Sequence, residues 1–244
     1  MESNVLLHDI VIPCYDTDVA FRLRPSSFMD YAQEIAQVHA DSLGFGFDDL
    51  QKTKTVWVLS RMHVKFINTP LWRQKTAFAT WHKGVEGLFY LRDFKMTDAQ
   101  GNPAVLATSS WLIINVDTRR IVRDSETNGL KTAVNEHAIG GPAQKVRIPS
   151  GLIPEVVAEH QVAYSDVDMN GHTNNARYLN WTMDALPYDL VKSLPVKEMT
   201  INFNHETRPG EKVSIMRTSV PGENRYFVEG TVDGKSAFIV EILF

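Results

Sequence analysis

The sequence predicts an α+β fold built twice over: two long helices, each wrapped by an antiparallel sheet, with the sheets joined into one continuous sheet per chain. Three observations predict it. The order strand, long helix, four strands occurs in the first half and again in the second. Short segments repeat between the halves, Tyr15-Asp16-Thr17-Asp18 against Tyr164-Ser165-Asp166-Val167-Asp168 and Val64-Lys65-Phe66 against Ile201-Asn202-Phe203. The 244 residues, 43% of them hydrophobic, also suffice for two units that each bury a core.

In the first half, residues 5–13 read as a strand. Residues 25–43 read as a helix, because Phe28, Tyr31, Ala32, Ile35 and Val38 recur at three and four residues, with Pro25 suited to the first turn and Gly44 and Gly46 to the end. Over residues 53–68 the apolar side chains Val56, Val58, Met62, Val64 and Phe66 fall on even positions, the period of a strand with one buried face. Strands at 76–82, 88–97 and 104–117 complete an expected four-strand antiparallel meander, and DAQGNP marks the turn between the last two. The second half follows with a strand at 155–164, a helix from near Asn174, and strands at 197–204, 212–219, 225–232 and 236–244. Asp233-Gly234 is a tight hairpin signal. Residues 124–151 are polar and carry Gly140-Gly141-Pro142, so they read as a connection between units spanning 1–123 and 152–244.

Composition removes several functions. With 25 basic and 29 acidic residues the net charge is -4, so no global basic field recruits nucleic acid. Cys14 is the only cysteine, which excludes an intramolecular disulfide and any cysteine-cluster zinc site. A cytoplasmic setting is the expectation, with Cys14 a packed small residue. The N-terminus lacks a basic leader, and no run of about 18–20 apolar residues offers a membrane span, so the chain is expected to be soluble and unprocessed. His39, His63, His82, His137, His160 and His205 form no metal-binding spacing.

Residues 164–181 (YSDVDMNGHTNNARYLNW) hold the chemistry. Asp166, Asp168, Asn170, His172, Asn174 and Asn175 crowd into ten residues directly before the second helix. Helix capping explains one or two such residues, not six. If the run is extended, Asp168, Asn170 and His172 project to one side.

The pattern Asp168-Met169-Asn170-Gly171-His172-Thr173-Asn174-Asn175-Ala176-Arg177-Tyr178 resembles that of the acyl-acyl carrier protein thioesterases, the plant fatty-acyl enzymes and their bacterial relatives. Trp57-Val58-Leu59-Ser60-Arg61 and WLIINVDTRR (residues 111–120) resemble that family's first half. The resemblance implies a tandem (double) hotdog fold and hydrolysis of long- or medium-chain acyl-carrier thioesters in fatty acid biosynthesis, with acyl carrier protein as partner, no cofactor and no metal. It implies Asp168, Asn170, His172 and Glu206 as the catalytic set. Thr207 falls where plant members have a Cys, so a thiolate nucleophile is not expected. A thiolate leaving group departs unaided, whereas the attacking water must lose a proton. Glu206 or Asp168 would activate the water, Asn170 would position water or carbonyl, and His172 would orient or share the proton. Direct attack by Asp168 stays open. Backbone N–H groups between His172 and Asn175 would hold the thioester oxygen, with Asn174 and Asn175 contacting substrate.

The corresponding positions of the first half keep Tyr15 and Asp18 but then run VAFRLRPSS, with no Asn or His, and Thr69 stands where Glu206 would. Its helix, with Phe28, Tyr31 and Ile35, and its strands, with Trp57, Leu59 and Trp81, are expected to line an acyl tunnel. Arg119, Arg120 and Arg123 form the tight basic cluster, either solvated or facing the carrier. The alternatives are an acyl-CoA thioesterase and a non-catalytic acyl-thioester binder, and a homodimer is compatible with all of these.

Overall fold

In the computed structural model, which describes residues 4–122 and 133–244, strands from both halves hydrogen-bond into one ten-stranded antiparallel sheet. The first half supplies β1 (Val5–Val11), β2 (Thr55–Phe66), β3 (Lys75–Glu86), β4 (Phe89–Thr97) and β5 (Pro103–Asn115). The second supplies β6 (Glu155–Gln161), β7 (Glu198–Phe203), β8 (Lys212–Ser219), β9 (Arg225–Val232) and β10 (Lys235–Leu243). Their spatial order is β1-β3-β4-β5-β2-β7-β10-β9-β8-β6.

The expected four-strand meander is corrected here. β3, β4 and β5 follow one another, but β2 pairs with β5, and β3 takes β1 on its other side. The second half makes the same exchange, with β7 beside β10. The exchange places β2 and β7 at the centre, where Met62 opposite Ile201 and Val64 opposite Met199 are fully covered. Joining the halves there satisfies two sheet edges. The outer edges β1 and β6 remain, each seven residues long, and short edge strands limit unwanted pairing.

A bulge at Ser60 corrects the even-number reading of β2. Leu59 pairs with Trp111 and Arg61 with Ser110, so Ser60 is extra and the alternation changes parity. Leu59 therefore joins Met62, Val64 and Phe66 in the core, while Val56 and Val58 do not. The turn at Asp233-Gly234 has positive φ at both residues (49° and 74°), the conformation that a two-residue hairpin loop requires.

Among the described residues four α-helices complete the fold: α1 (Pro25–Ser42), α2 (Phe47–Lys52), α3 (Asn175–Asp184) and α4 (Tyr188–Ser193). α1 buries Phe28, Met29, Ala32, Ile35 and Ala36, but Val38 is exposed. α1 and α3 pack against each other and share one hydrophobic core with the inner face of the sheet. Of the connection expected at 124–151, residues 124–132 lie outside the described residues, as does the boundary at 123.

The described remainder does more than connect. Trp81 Nε1 donates to Glu136 O at 2.8 Å, Lys83 Nζ donates to Ile139 O and Gly141 O at 2.8 and 2.9 Å, and Val146 N donates to Asn202 Oδ1 at 2.6 Å. Val146, Ile148 and Leu152 then pack on Phe227 and Ile239. This strap covers strands of both halves, and beneath it Lys83 and Asp93 form a buried ion pair at 2.9 Å.

Candidate active site

The segment from Val167 to Thr173 is a closed loop, which corrects the extended reading. Val167 and Thr173 form an isolated bridge, Asp168 N donates to His172 O at 3.0 Å, and Gly171 N donates to Asp168 O at 3.0 Å. Gly171 takes φ +81°, a conformation that a side chain disfavours. Asp168 Oδ1 accepts the Asn170 backbone N–H at 2.8 Å, so this carboxylate holds the turn as well as facing His172.

The loop feeds directly into α3. Asn174 is the N-cap, its side-chain oxygen accepting from Ala176 N at 2.8 Å, and Asn174 N donates to Asp166 O. Thr173 N donates to Thr207 O, so these N–H groups are not free for a substrate. The Asn175 N–H has no acceptor among the described residues. Asn175 Nδ2 donates to Gln33 Oε1 at 2.9 Å, and Gln33 Nε2 donates to Asn174 Oδ1 at 3.2 Å, which ties α1 to the start of α3.

Glu206, just beyond β7, meets this loop. His172 Nε2 lies 3.4 Å from Glu206 Oε2 and His172 Nδ1 lies 3.9 Å from Asp168 Oδ1, so the imidazole sits between two carboxylates. Glu206 Oε1 accepts from Arg208 Nη2 at 2.6 Å and from Arg119 Nη2 at 3.4 Å. Partial burial alone would raise the Glu206 pKa, but Arg208, His172 and Arg119 together outweigh it and hold the carboxyl below the usual range. Thr207 is fully buried, bonded through its hydroxyl to Thr173 and Tyr178, and thereby anchors Glu206 against the loop. Arg119 is thus part of the site rather than a free hairpin tip. Arg123 lies outside the described residues.

The first half repeats the loop at an offset of 150, as 168 − 18 shows, which shifts the expected Tyr15–Tyr164 match by one residue. Asp18 N donates to Arg22 O, Phe21 takes φ 63° where Gly171 stands, and Thr17 bridges Leu23. Arg22 occupies the His172 position and forms an ion pair with Asp18 at 2.8 Å. The backbone of the site is kept and its titratable inventory is not.

A cavity of about 70 Å³ lies beside α1, lined by Gln33, Ala36, Trp57, Tyr90, Arg92 and Trp111 among others. Of the six side chains expected to line an acyl tunnel, Trp57 lines this cavity. Phe28, Ile35 and Leu59 are packed core instead, Phe28 against Phe66 and Phe78. Trp81 points to the strap. The buried His39 and Arg92 border the cavity region, with Arg92 Nη1 donating to His39 Nδ1 at 2.8 Å. Burial and the neighbouring Arg92 and His82 lower the His39 pKa to about 4, so it is the neutral acceptor. Periodicity alone gave no signal for Gln33, Arg92 or Arg208. Cys14 is exposed, not packed, because it opens a one-turn 3-10 helix at the end of β1. Among the described residues no helix is long and apolar enough to cross a membrane, and no group of three His, Cys, Asp or Glu is placed to hold a metal ion.

The family model for the acyl-ACP thioesterase N-terminal domain matches residues 4–127, and that for the C-terminal domain matches residues 154–236. An oleoyl-acyl carrier protein thioesterase of Arabidopsis thaliana is 28% identical over 221 residues, covering 82% of this chain and 60% of the relative. Its counterpart in Coriandrum sativum is 26% identical, covering 84% and 60%. The chain thus spans about 60% of the length of these curated relatives. Among solved structures, an acyl-ACP thioesterase from Bacteroides thetaiotaomicron superposes with a TM-score of 0.89 at 24% identity, covering 99% of this chain and 98% of that one. The 12:0-ACP thioesterase of Umbellularia californica gives 0.85 at 20% identity, covering 100% and 98%. Both likenesses show the double hotdog fold.

Proposed function

The chain belongs to the acyl-ACP thioesterase family, and from that premise we propose that it hydrolyses the thioester of long- or medium-chain acyl-acyl carrier protein, releasing free fatty acid in fatty acid biosynthesis. The observation that carries the reading is His172 held between the carboxylates of Glu206 and Asp168, on a loop that also presents Asn170 and leads to the unclaimed N–H of Asn175.

Water between Glu206 Oε2 and His172 Nε2 has both a proton acceptor and an orienting group within reach. As its oxygen attacks the thioester carbon, its proton passes to this pair. The developing oxyanion is held by the Asn175 N–H at the positive end of α3 and by the Asn170 amide. The carbon–sulfur bond then breaks and the thiolate leaves, taking up the proton from His172. Glu206 suits the base role better than Asp168, whose oxygens are already engaged by Asn170. Arg208, His172 and Arg119 lower the Glu206 pKa, which favours its ionised form at some cost in basicity.

The acyl tail enters the cavity along α1, because Gln33 both lines that cavity and bonds to Asn174 and Asn175. Trp57, Tyr90 and Trp111 supply its apolar wall. A cytoplasmic setting belongs to the same proposal, supported by the one thiol, exposed and free. Free thiol release from the same acyl chain on carrier protein and on coenzyme A tests the reading. Faster release from the carrier is expected. Equal or faster release from coenzyme A assigns the chain to acyl-CoA hydrolysis, and tight binding with no release makes it a binder.

A further inference from the structure

The first-half loop borders a cleft of about 550 Å³ that runs between Asp18–Ser26 and the helices α3 and α4. We propose that this cleft is a second ligand site, which binds a free fatty acid by its carboxylate and does not turn thioesters over.

The cleft is the counterpart of the catalytic one, built from Asp18, Arg22 and Thr69 where the other has Asp168, His172 and Glu206. With Arg22 in place of His172 and Thr69 in place of Glu206, the imidazole–carboxylate pair that would take the proton of water is missing. Arg22 is held by Asp18, and its Nη2 also donates to Val191 O and Lys192 O at 2.7 and 3.1 Å. The cleft keeps the features that bind an anion. α1 begins here with Arg24 in the position of the capping Asn174, no side-chain cap and no acidic residue in its first turn. Its orphan N–H groups and positive end are therefore unanswered by the protein. Ser26, only 6% exposed, lines the cleft, and its hydroxyl has no hydrogen-bond partner among the described residues. Arg24 and Lys192 also line the cleft without an ion-pair partner among the described residues. Of the two carboxylates in the lining, Asp18 is engaged by Arg22, and Asp184 is solvent-exposed.

The rest of the lining selects the ligand. Leu23, Phe66, Leu186, Leu194 and Val196 form an apolar wall that a free phosphate or sulfate cannot use. A carboxylate on a flexible aliphatic tail satisfies both parts, with the head at the start of α1 and the tail against that wall.

Carboxyl-labelled dodecanoate titrated into the intact chain, with bound ligand counted by dialysis and resolved by NMR, tests the proposal. Two classes of site are expected. Arg24→Glu should weaken one class about tenfold or more, since charge-assisted hydrogen bonds carry at least that much free energy. It should leave thioester hydrolysis within about twofold, a near-zero change in free energy. Ser26→Ala, a substitution that a helix accepts readily, should weaken the same class, and dodecanol should bind it poorly. Fatty-acid binding that Arg24→Glu leaves wholly unchanged overturns the proposal, as does an equal weakening of both classes. Because binding is read without turnover, the outcome stands whether or not the chain proves to hydrolyse acyl carriers.

Discussion

Arg208, His172 and Arg119 together hold the Glu206 carboxyl below the usual carboxylate range against the opposing effect of burial, and this sets the expected pH dependence of the reaction. With its pKa depressed in the folded chain, its capacity as a base is present above that pKa and is lost as pH falls through it. Arg208→Ala removes the closer partner, so the acid limb of the kcat/KM profile should move to higher pH. Arg119→Ala should move it less, since that contact is longer and its side chain is 64% exposed. A limb that stays in place in both variants would show that another group titrates. Glu206→Gln and His172→Ala should each lower kcat by about 10²–10⁴, the span of a positioned acid–base group. Cys14→Ser should leave turnover unchanged, and loss of activity in a folded Cys14→Ser chain would overturn the absence of a cysteine nucleophile. Asp168, Asn170 and His172 were legible in the sequence because six polar residues exceed what capping needs. Arg119 was not, because its contact with Glu206 spans 87 residues and only the folded sheet brings the two together.

At the scale of the element, periodicity located the strands but failed at irregularities. The Ser60 bulge moves Leu59 onto the helical side, where a strict period of two places Val56 and Val58. Closure of the 167–173 loop likewise replaces an extended row with a turn, for which Gly171 was the available sign. These local geometries separate core from cavity, and mutation should separate them too. Phe28→Ala should cost about 3–5 kcal/mol, the usual loss for emptying a buried aromatic position, while leaving chain-length preference unmoved. Denaturant unfolding beside a substrate panel checks both halves of that statement. A changed preference without a stability loss would return Phe28 to the acyl pocket.

Across the whole molecule, duplication was readable from two short matches, while the strand exchange and the strap were not. Neither leaves a local pattern, because both arise from how the halves cover one another's sheet. The strap seals Lys83 against Asp93, whose own carboxyl is pushed up chiefly by burial and pulled back by Lys83. Lys83→Met should cost about 3–5 kcal/mol by leaving a buried carboxylate unpaired. With its folded pKa then raised above the unfolded value, Asp93 destabilises the fold most at higher pH, so the deficit should shrink as pH falls. A deficit that is independent of pH would show that the pair is not what the strap protects.

The two halves divide the work on this account, with chemistry in the second and the acyl tail in the first. Thiol release from carrier thioesters graded in chain length, compared for Trp57→Ala and His172→Ala, tests that division most directly. Each buried methylene carries about 0.8 kcal/mol, so Trp57→Ala should shift the preferred length while His172→Ala lowers every length together. A profile left unmoved by Trp57→Ala, or reshaped by His172→Ala, would contradict it.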